Sequence, residues 1–368
     1  MSDITTLQQS FAPLLKPFAW ANAKAMRLRE WAYRRGVMKA WTPPVVTVAV
    51  GNIGWGGTGK TPIAGWLLNW AEAHNRKAML LTRGYKAHPN SYPYHVVPGA
   101  LAEEAGDEPL MLATEHPEAV VLVDPVRSRS GKLGVKQFDP QLIILDDGFQ
   151  HMAVKRHCNL VLLKPEDLSH QWNALIPAGS WREPKEALHR ADAFLIKIGP
   201  EGFDSLLPHF DTLLGHLRRP IFSFQIIPTG LRHVVTGQVK KNFDKKNYLL
   251  VTGVGAPDQV ERTAKQYLGY KPAKHIVFRD HHTYTKNDVF RIESEARARG
   301  CEAILCTPKD AVKLGPMCSD LFWKFDLRVQ FGPSSIGKEN RFDTWWDRRH
   351  EQLLSQKASH GGHLTPGE

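Results

Sequence analysis

Unbroken apolar runs at 45–50, 78–82, 120–123, 142–145, 159–163 and 193–198 alternate with stretches whose apolar residues recur at helical spacing. A strand with one wet face alternates apolar and polar residues; a strand covered on both faces need not. The runs therefore predict a parallel sheet with helices on either side. Residues 220–227 predict a further strand leading into a linker, and the charged stretch 240–246 (KKNFDKK) reads as exposed. A second strand–helix series follows, with strands at 248–252, 275–278 and 303–306. A domain boundary is expected near 225–245. From Lys357 the chain is rich in Gly, His and Ser and reads as a frayed end.

Residues 1–44 have a different texture. Phe11, Leu14, Leu15, Phe18, Trp20, Met26, Leu28 and Trp31 are interleaved with Lys16, Lys24, Arg27, Arg29, Arg34 and Arg35, and only Asp3 and Glu30 are acidic. Pro13 and Pro17 predict a helix that starts near Pro17 and ends at Gly36 or at Pro43 and Pro44. Two readings fit a basic amphipathic helix of this kind. It lies in an anionic membrane interface, or it packs as a surface helix on its own domain. A mitochondrial transit peptide is a third reading.

Composition narrows the class. The 368 residues allow two domains, and 42% apolar with 23% charged residues marks a globular chain. Cys158, Cys301, Cys306 and Cys318 form no C-x-x-C pair, which argues against a zinc knuckle and suits reduced cytosolic thiols. The net charge of +11 favours an anionic partner: nucleic acid, an acidic membrane or a phosphorylated substrate. The longest uncharged run, 42–59, holds Pro43, Pro44 and several glycines, so no transmembrane helix is expected.

Candidate chemistry begins at the end of the first strand. Gly54, Trp55, Gly56, Gly57, Thr58, Gly59, Lys60 and Thr61 fit G-x-x-x-x-G-K-[ST], between a predicted strand and a predicted helix. In such a loop the glycines let backbone N–H groups close around phosphates. Lys60 would reach the β- and γ-phosphates, and Thr61 would place its hydroxyl on Mg²⁺. The strand at 142–145 ends in Asp146 and Asp147, where carboxylates can meet Mg²⁺ beside the loop. Asp107 and Glu108 in GDEP (106–109) suit helix capping or chemistry. In FRDHHTYT (278–285), side chains in extended backbone point to opposite faces, so Asp280, His281 and His282 do not readily share one metal ion. An Asp–His pair in proton transfer, or a polar turn, fits better. Arg182 and Glu183 in IPAGSWREP (176–184) offer a phosphate-binding guanidinium and a carboxylate, and Arg83 in LTRGY (81–85) has similar standing.

Taken together, these motifs resemble the tetraacyldisaccharide 4′-kinase family, the lipid A 4′-kinases of Gram-negative bacteria. The matching segments are GNIGWGGTGKTP (51–62), LTRGY (81–85), GDEP (106–109), LDDGFQH (145–151), PAGSWREP (177–184), DHHTYT (280–285) and TPKDAVKL (307–314). The chain carries Ser180 and Trp181 where the family usually has Pro-Leu, and Pro308 where it has Glu. The resemblance implies ATP-dependent phosphorylation of the 4′-hydroxyl of a tetraacyldisaccharide 1-phosphate, at the cytoplasmic face of the bacterial inner membrane, by a peripheral enzyme. It also implies Lys60 and Thr61 as the P-loop lysine and magnesium-binding threonine, and Asp146 and Asp147 as Walker B acids. Asp107 becomes the catalytic base and His281 its partner, in a site completed by domain closure.

The expected fold is α/β: a P-loop NTPase-type parallel sheet covered by helices, a second smaller α/β domain, and a basic amphipathic N-terminal helix. The expected division is 1–44 as membrane-associating segment, 45–230 as P-loop kinase domain and 231–368 as C-terminal domain. One rival is a P-loop GTPase or metallochaperone-type NTPase, for which Thr307-Pro308-Lys309-Asp310 imitates a guanine-reading motif out of register. A nucleic-acid-stimulated ATPase lacks any recognition motif, so no nucleic-acid partner is expected. A pure membrane-binding module leaves the nucleotide motifs without a use.

Overall fold

In the computed structural model, which describes residues 2–359 apart from Lys245, the apolar runs join one continuous sheet of thirteen strands. The strands are β1 (Val46–Asn52), β2 (Ala78–Thr82), β3 (Tyr94–Val96), β4 (Val120–Val123), β5 (Leu142–Asp146), β6 (Cys158–Leu163), β7 (Ala193–Lys197), β8 (Ile221–His233), β9 (Val239–Lys240), β10 (Tyr248–Thr252), β11 (Lys274–Val277), β12 (Ala303–Cys306) and β13 (Phe322–Ser335). The helices are α1 (Ser2–Arg34), α2 (Lys60–Ala73), α3 (Ala102–Ala105), α4 (Asp107–Glu115), α5 (Arg127–Phe138), α6 (Pro200–Leu213), α7 (Pro257–Leu268), α8 (Lys286–Ala298), α9 (Pro308–Leu314) and α10 (Phe342–Ser359).

The sheet runs β11-β10-β12-β13-β8-β7-β6-β1-β5-β2-β4-β3, with β9 on β8. Strand β1 lies between β5 and β6, parallel to both, and every one of its seven residues is buried. That explains its unbroken apolar pattern, since helices cover both faces. Only β3, β9 and the β8–β13 pair break the parallel arrangement.

Strand β13 was not expected. Its middle, Asp326 to Gln330, alternates polar residues with Leu327 and Val329 and is partly exposed, so it lacks the continuous apolar signal of the inner strands. It pairs antiparallel with β8, and this long ribbon carries the sheet from one half to the other. The middle of β8 is exposed or half-exposed from Gln225 to Thr229. On either side the packing differs: Phe222 and Phe224 join the core under β1, while Leu231 packs with Tyr248 and Trp323. Helix α10 returns to the first half, where Phe342, Trp345 and Trp346 enter the β1 core. The residues from 342 to 359 therefore pack with the P-loop half, not with the strands that precede them in the chain. Lys357 to Ser359 are helical, and 360–368 lie outside the described residues.

Helix α1 begins at Ser2 and includes Pro13 and Pro17, earlier than expected. The two prolines are four residues apart, on one helical face, and both are exposed, so the carbonyls they strand face water. The helix docks through small residues: Ala19 and Ala23 are buried against the 168–191 region. Arg27 pairs with Glu186 at 3.1 Å and Glu30 with His189 at 3.2 Å. No helix among the described residues is long and apolar enough to cross a membrane.

One close approach fixes the geometry beneath the site. A Cβ on Gly51 would stand 2.6 Å from Phe149 Cβ and 2.7 Å from its backbone nitrogen. Backbone cannot swing aside, so Gly51→Ala is expected to cost about 1–3 kcal/mol through overpacking. A lowered urea midpoint with an unchanged slope is the expected readout; an unchanged midpoint would contradict the close approach.

Candidate functional site

Strand β1 ends at Asn52, and residues 53–59 turn over the start of α2. Gly56 and Gly59 have φ of 103° and 93°, backbone that side chains resist. The first turn of α2 thus opens its unpaired N–H groups toward the loop, as phosphate binding requires. Lys60 Nζ donates to Asn52 Oδ1 at 3.1 Å and lies 3.6 Å from Asp147 Oδ1. Thr61 Oγ1 donates to Glu108 Oε2 at 2.6 Å.

The neighbouring strand β5 delivers the two acids, and their environments differ. Asp146 is buried, and Thr82 Oγ1 donates to its Oδ2 at 3.0 Å. Burial, with Glu108 and Asp147 nearby, pushes its carboxyl up to about 6. Burial also raises Asp147, but hydrogen bonds from Arg182 and the charges of Arg182, Lys60 and Arg127 outweigh it and hold it at about 2. Arg182 grips Asp147 with two bonds of 2.9 Å and also reaches the Asn52 backbone and side-chain oxygens.

Several buried polar atoms here have no partner among the described residues: Asn52 Nδ2, Thr58 Oγ1, Asp146 Oδ1, Gln150 Oε1 and Arg182 Nε. Buried polar groups normally find one, so a cluster of orphans in a glycine-rich cradle fits a polar ligand. For a divalent cation the test is Asp146 Oδ1, an orphaned hard oxygen on the residue next to Asp147. Among the described residues no three His, Cys, Asp or Glu side chains form a closed metal cage. An open oxygen set suits Mg²⁺, which shares its sphere with phosphates and water.

On the opposite side, α4 starts at Asp107. The N-cap is Gly106 and no side chain caps this helix, so the Asp107 carboxylate is not spent on capping. Its Oδ2 lies 3.0 Å from His281 Nδ1, 3.4 Å from Lys313 Nζ and 3.9 Å from Lys309 Nζ. His281 adopts left-handed backbone (φ 65°), which turns its ring away from that of His282. His282 instead contacts Asp288 at 3.1 Å and stacks on Phe278. The two histidines diverge, but not for the expected reason: Asp280 and His281 form a turn, not extended backbone, and both face Lys309.

Other expected residues fall in different places. Arg83 is exposed beyond the end of β2 and makes no ion pair among the described residues. Glu183 is buried and paired with Arg190, whose guanidinium lies over the Phe149 ring. Its carboxylate braces the loop instead of facing a ligand. Asp310 is fully buried and accepts from Gly253 N, Tyr284 Oη and Thr307 Oγ1. Every oxygen is committed, so this motif cannot read guanine.

Sequence reasoning missed Asn52 and Lys164; it named Glu108 beside Asp107 without a partner, and carried Lys309 and Lys313 only inside a matched motif. Lys164 follows β6, the other neighbour of β1, and its Nζ donates to the Trp55 carbonyl at 2.6 Å. A Cβ on Gly56 would stand 2.3 Å from that Nζ, so the lysine lies directly over the loop. A lysine at the end of the strand beside the P-loop strand was the available signal.

The sequence model described as tetraacyldisaccharide-1-P 4′-kinase matches residues 11–345. A tetraacyldisaccharide 4′-kinase of Nitratidesulfovibrio vulgaris is 44% identical, over 96% of this chain and 99% of its own length. One from Oleidesulfovibrio alaskensis is also 44% identical, over 94% and 98%. Among solved structures, the "apo" form of LpxK from Aquifex aeolicus in complex with ATP superposes with a TM-score of 0.73 at 26% identity, covering 95% of this chain and 99% of that one.

Proposed function

The chain belongs to the tetraacyldisaccharide-1-P 4′-kinase family, and we propose that the residues above carry its reaction: transfer of the γ-phosphate of ATP to the 4′-hydroxyl of a tetraacyldisaccharide 1-phosphate, the lipid A precursor. The observation that carries the residue assignment is the 2.6 Å bond between Thr61 and Glu108. It ties the P-loop to the helical turn that holds Asp107, so donor and acceptor groups share one cleft.

The loop amides and Lys60 hold the phosphates and stabilise charge on the transferring group. Mg²⁺, held by Thr61 and the free Oδ1 of Asp146, would neutralise charge across the phosphates, while Asp147 stays clamped by Arg182. Asp107 Oδ1 makes no hydrogen bond among the described residues and accepts the sugar proton as the new O–P bond forms and the bond to ADP breaks. Arg182 keeps Asp147 ionised and the loop in register. Lys164 roofs the loop and adds a second positive charge beside the phosphates. Arg83, unpaired at the mouth, meets substrate phosphate.

Helix α1 presents Phe11, Leu14, Phe18, Trp20, Leu28 and Trp31 to solvent with basic neighbours. This favours contact with an anionic inner-membrane surface at its cytoplasmic face, where the acyl chains of the substrate reside.

The test is transfer of labelled γ-phosphate from ATP to a lipid A disaccharide precursor in detergent, across Mg²⁺ concentration and pH. A carboxyl raised to about 6 binds a proton below that pH, and a protonated carboxyl is a poor ligand. The Mg²⁺ needed for half-maximal rate should therefore rise as pH falls through about 6, and Asp146→Asn should flatten that dependence. No labelled lipid in any detergent would sink the reading.

A further inference from the structure

The segment Thr307-Pro308-Lys309-Asp310 matches a family motif, yet nothing above gives Lys309 a task. Its position supplies one. Lys309 Nζ lies 3.3 Å from His281 Nε2, 3.1 Å from Asp280 Oδ1 and 3.9 Å from Asp107 Oδ2. It projects from α9 in one half of the molecule toward a histidine whose other nitrogen faces α4 in the other half.

We propose that Lys309 is a positioning residue that locks His281 in its neutral Nδ1–H tautomer, so that His281 orients Asp107 and does not relay its proton. This rests on the reading of Asp107 as the base.

The argument is a count of donors and lone pairs. A lysine ammonium donates and has no lone pair. Its 3.3 Å contact with Nε2 is a hydrogen bond only if Nε2 is unprotonated. An ionised carboxylate only accepts, so the 3.0 Å contact between Asp107 Oδ2 and Nδ1 needs a proton on Nδ1. Which imidazole nitrogen carries the proton is set by the partner of the other. Both partners here demand the same tautomer.

The remaining charges agree. Around the His281 ring stand Asp107 from α4, Asp280 from its own loop, Lys309 from α9 and the Tyr85 ring from the loop after β2. Asp280 Oδ1 is 3.8 Å from Nε2, too far to accept from it, and is taken by Lys309 instead. Lys313 is tied to Asp107, Asp310 and the His282 carbonyl. Its ammonium is committed to those partners and makes no hydrogen bond to the ring among the described residues.

The pair therefore holds one proton, on Nδ1. Nε2 is blocked, and the free Oδ1 of Asp107 is the open acceptor. The sugar proton goes to Asp107 and stays there until product leaves. Remove Lys309, and Nε2 becomes free to take a proton. An imidazolium beside Asp107 then competes for its charge and weakens it as a base.

The experiment is ¹⁵N NMR of the imidazole nitrogens in the full chain labelled at histidine, with His281→Gln used only to assign the signal. The wild-type protein should show the neutral Nδ1–H pattern of His281. Lys309→Met should show imidazolium character at pH 6, with kcat down about 10–100-fold at pH 6, a smaller loss at pH 8 and an unchanged KM for ATP. Lys309→Arg, which keeps a donor, should restore the tautomer. A wild-type Nε2–H tautomer or imidazolium would overturn the proposal without any variant having to fold. So would Lys309→Met with an unchanged His281 signal. If instead Asp107→Asn kept full activity, the base assignment would fail while the tautomer result stood.

Discussion

An Asp107→Asn variant is expected to lose about 10³-fold in kcat, roughly 4 kcal/mol of barrier, with KM for ATP within about twofold of wild type. The asparagine fills the same space and can still accept from His281 Nδ1, so the fold and the 3.0 Å contact survive. What is lost is a group able to take the sugar proton. In the proposed site ATP is held through the loop and Lys60, so its binding is not expected to depend on Asp107. Steady-state transfer of labelled phosphate under saturating lipid measures this. A kcat within tenfold of wild type would remove Asp107 from the base role. His282→Ala is the matched control: that ring serves Asp288 and Phe278, so only a small loss in rate is expected.

The second large effect is at Lys60. Lys60→Met should lower kcat/KM for ATP by about 10²–10³-fold, the usual cost of removing one preorganised charge from a transferring group. The lysine sits 3.1 Å from Asn52 Oδ1 and 3.6 Å from Asp147, so it is held in place before any nucleotide arrives. Methionine keeps the stem and deletes the charge, which leaves Asp147 still gripped by Arg182. The expected pattern is loss in both kcat and nucleotide affinity. Unchanged ATP affinity by titration would show that the loop amides alone hold the phosphates.

The two halves of the site differ in how visibly the sequence announces them. The donor half is local: β1, the loop and the start of α2 are consecutive, and a strand, glycines and a lysine in that order have one structural meaning. Asp146 and Asp147 were legible because they end an apolar run. The acceptor half is assembled from distant segments: Asp107 and His281 are 174 residues apart. Spacing favoured capping for Asp107, and only the resemblance to the kinase family raised a catalytic role. The structure adds that Gly106 occupies the cap position. Glu183 and Arg182 are neighbours in sequence, yet one is buried against Arg190 and the other holds Asp147. The chain bends at both residues, and each side chain takes a different partner, so one motif divided into a brace and a clamp.

The sequence by itself determined the inner strands, the glycine-rich loop and the basic amphipathic start of the chain. Burial on both faces writes continuous apolar runs, and a left-handed loop backbone demands glycine at fixed places. Tertiary structure alone decided the partners of charged side chains. It seated α10 on the P-loop half, joined the two halves through the β8–β13 ribbon with its partly exposed centre, and aimed Lys309 at His281. Such pairings depend on which elements the sheet order brings together. No local pattern of residues encodes that order.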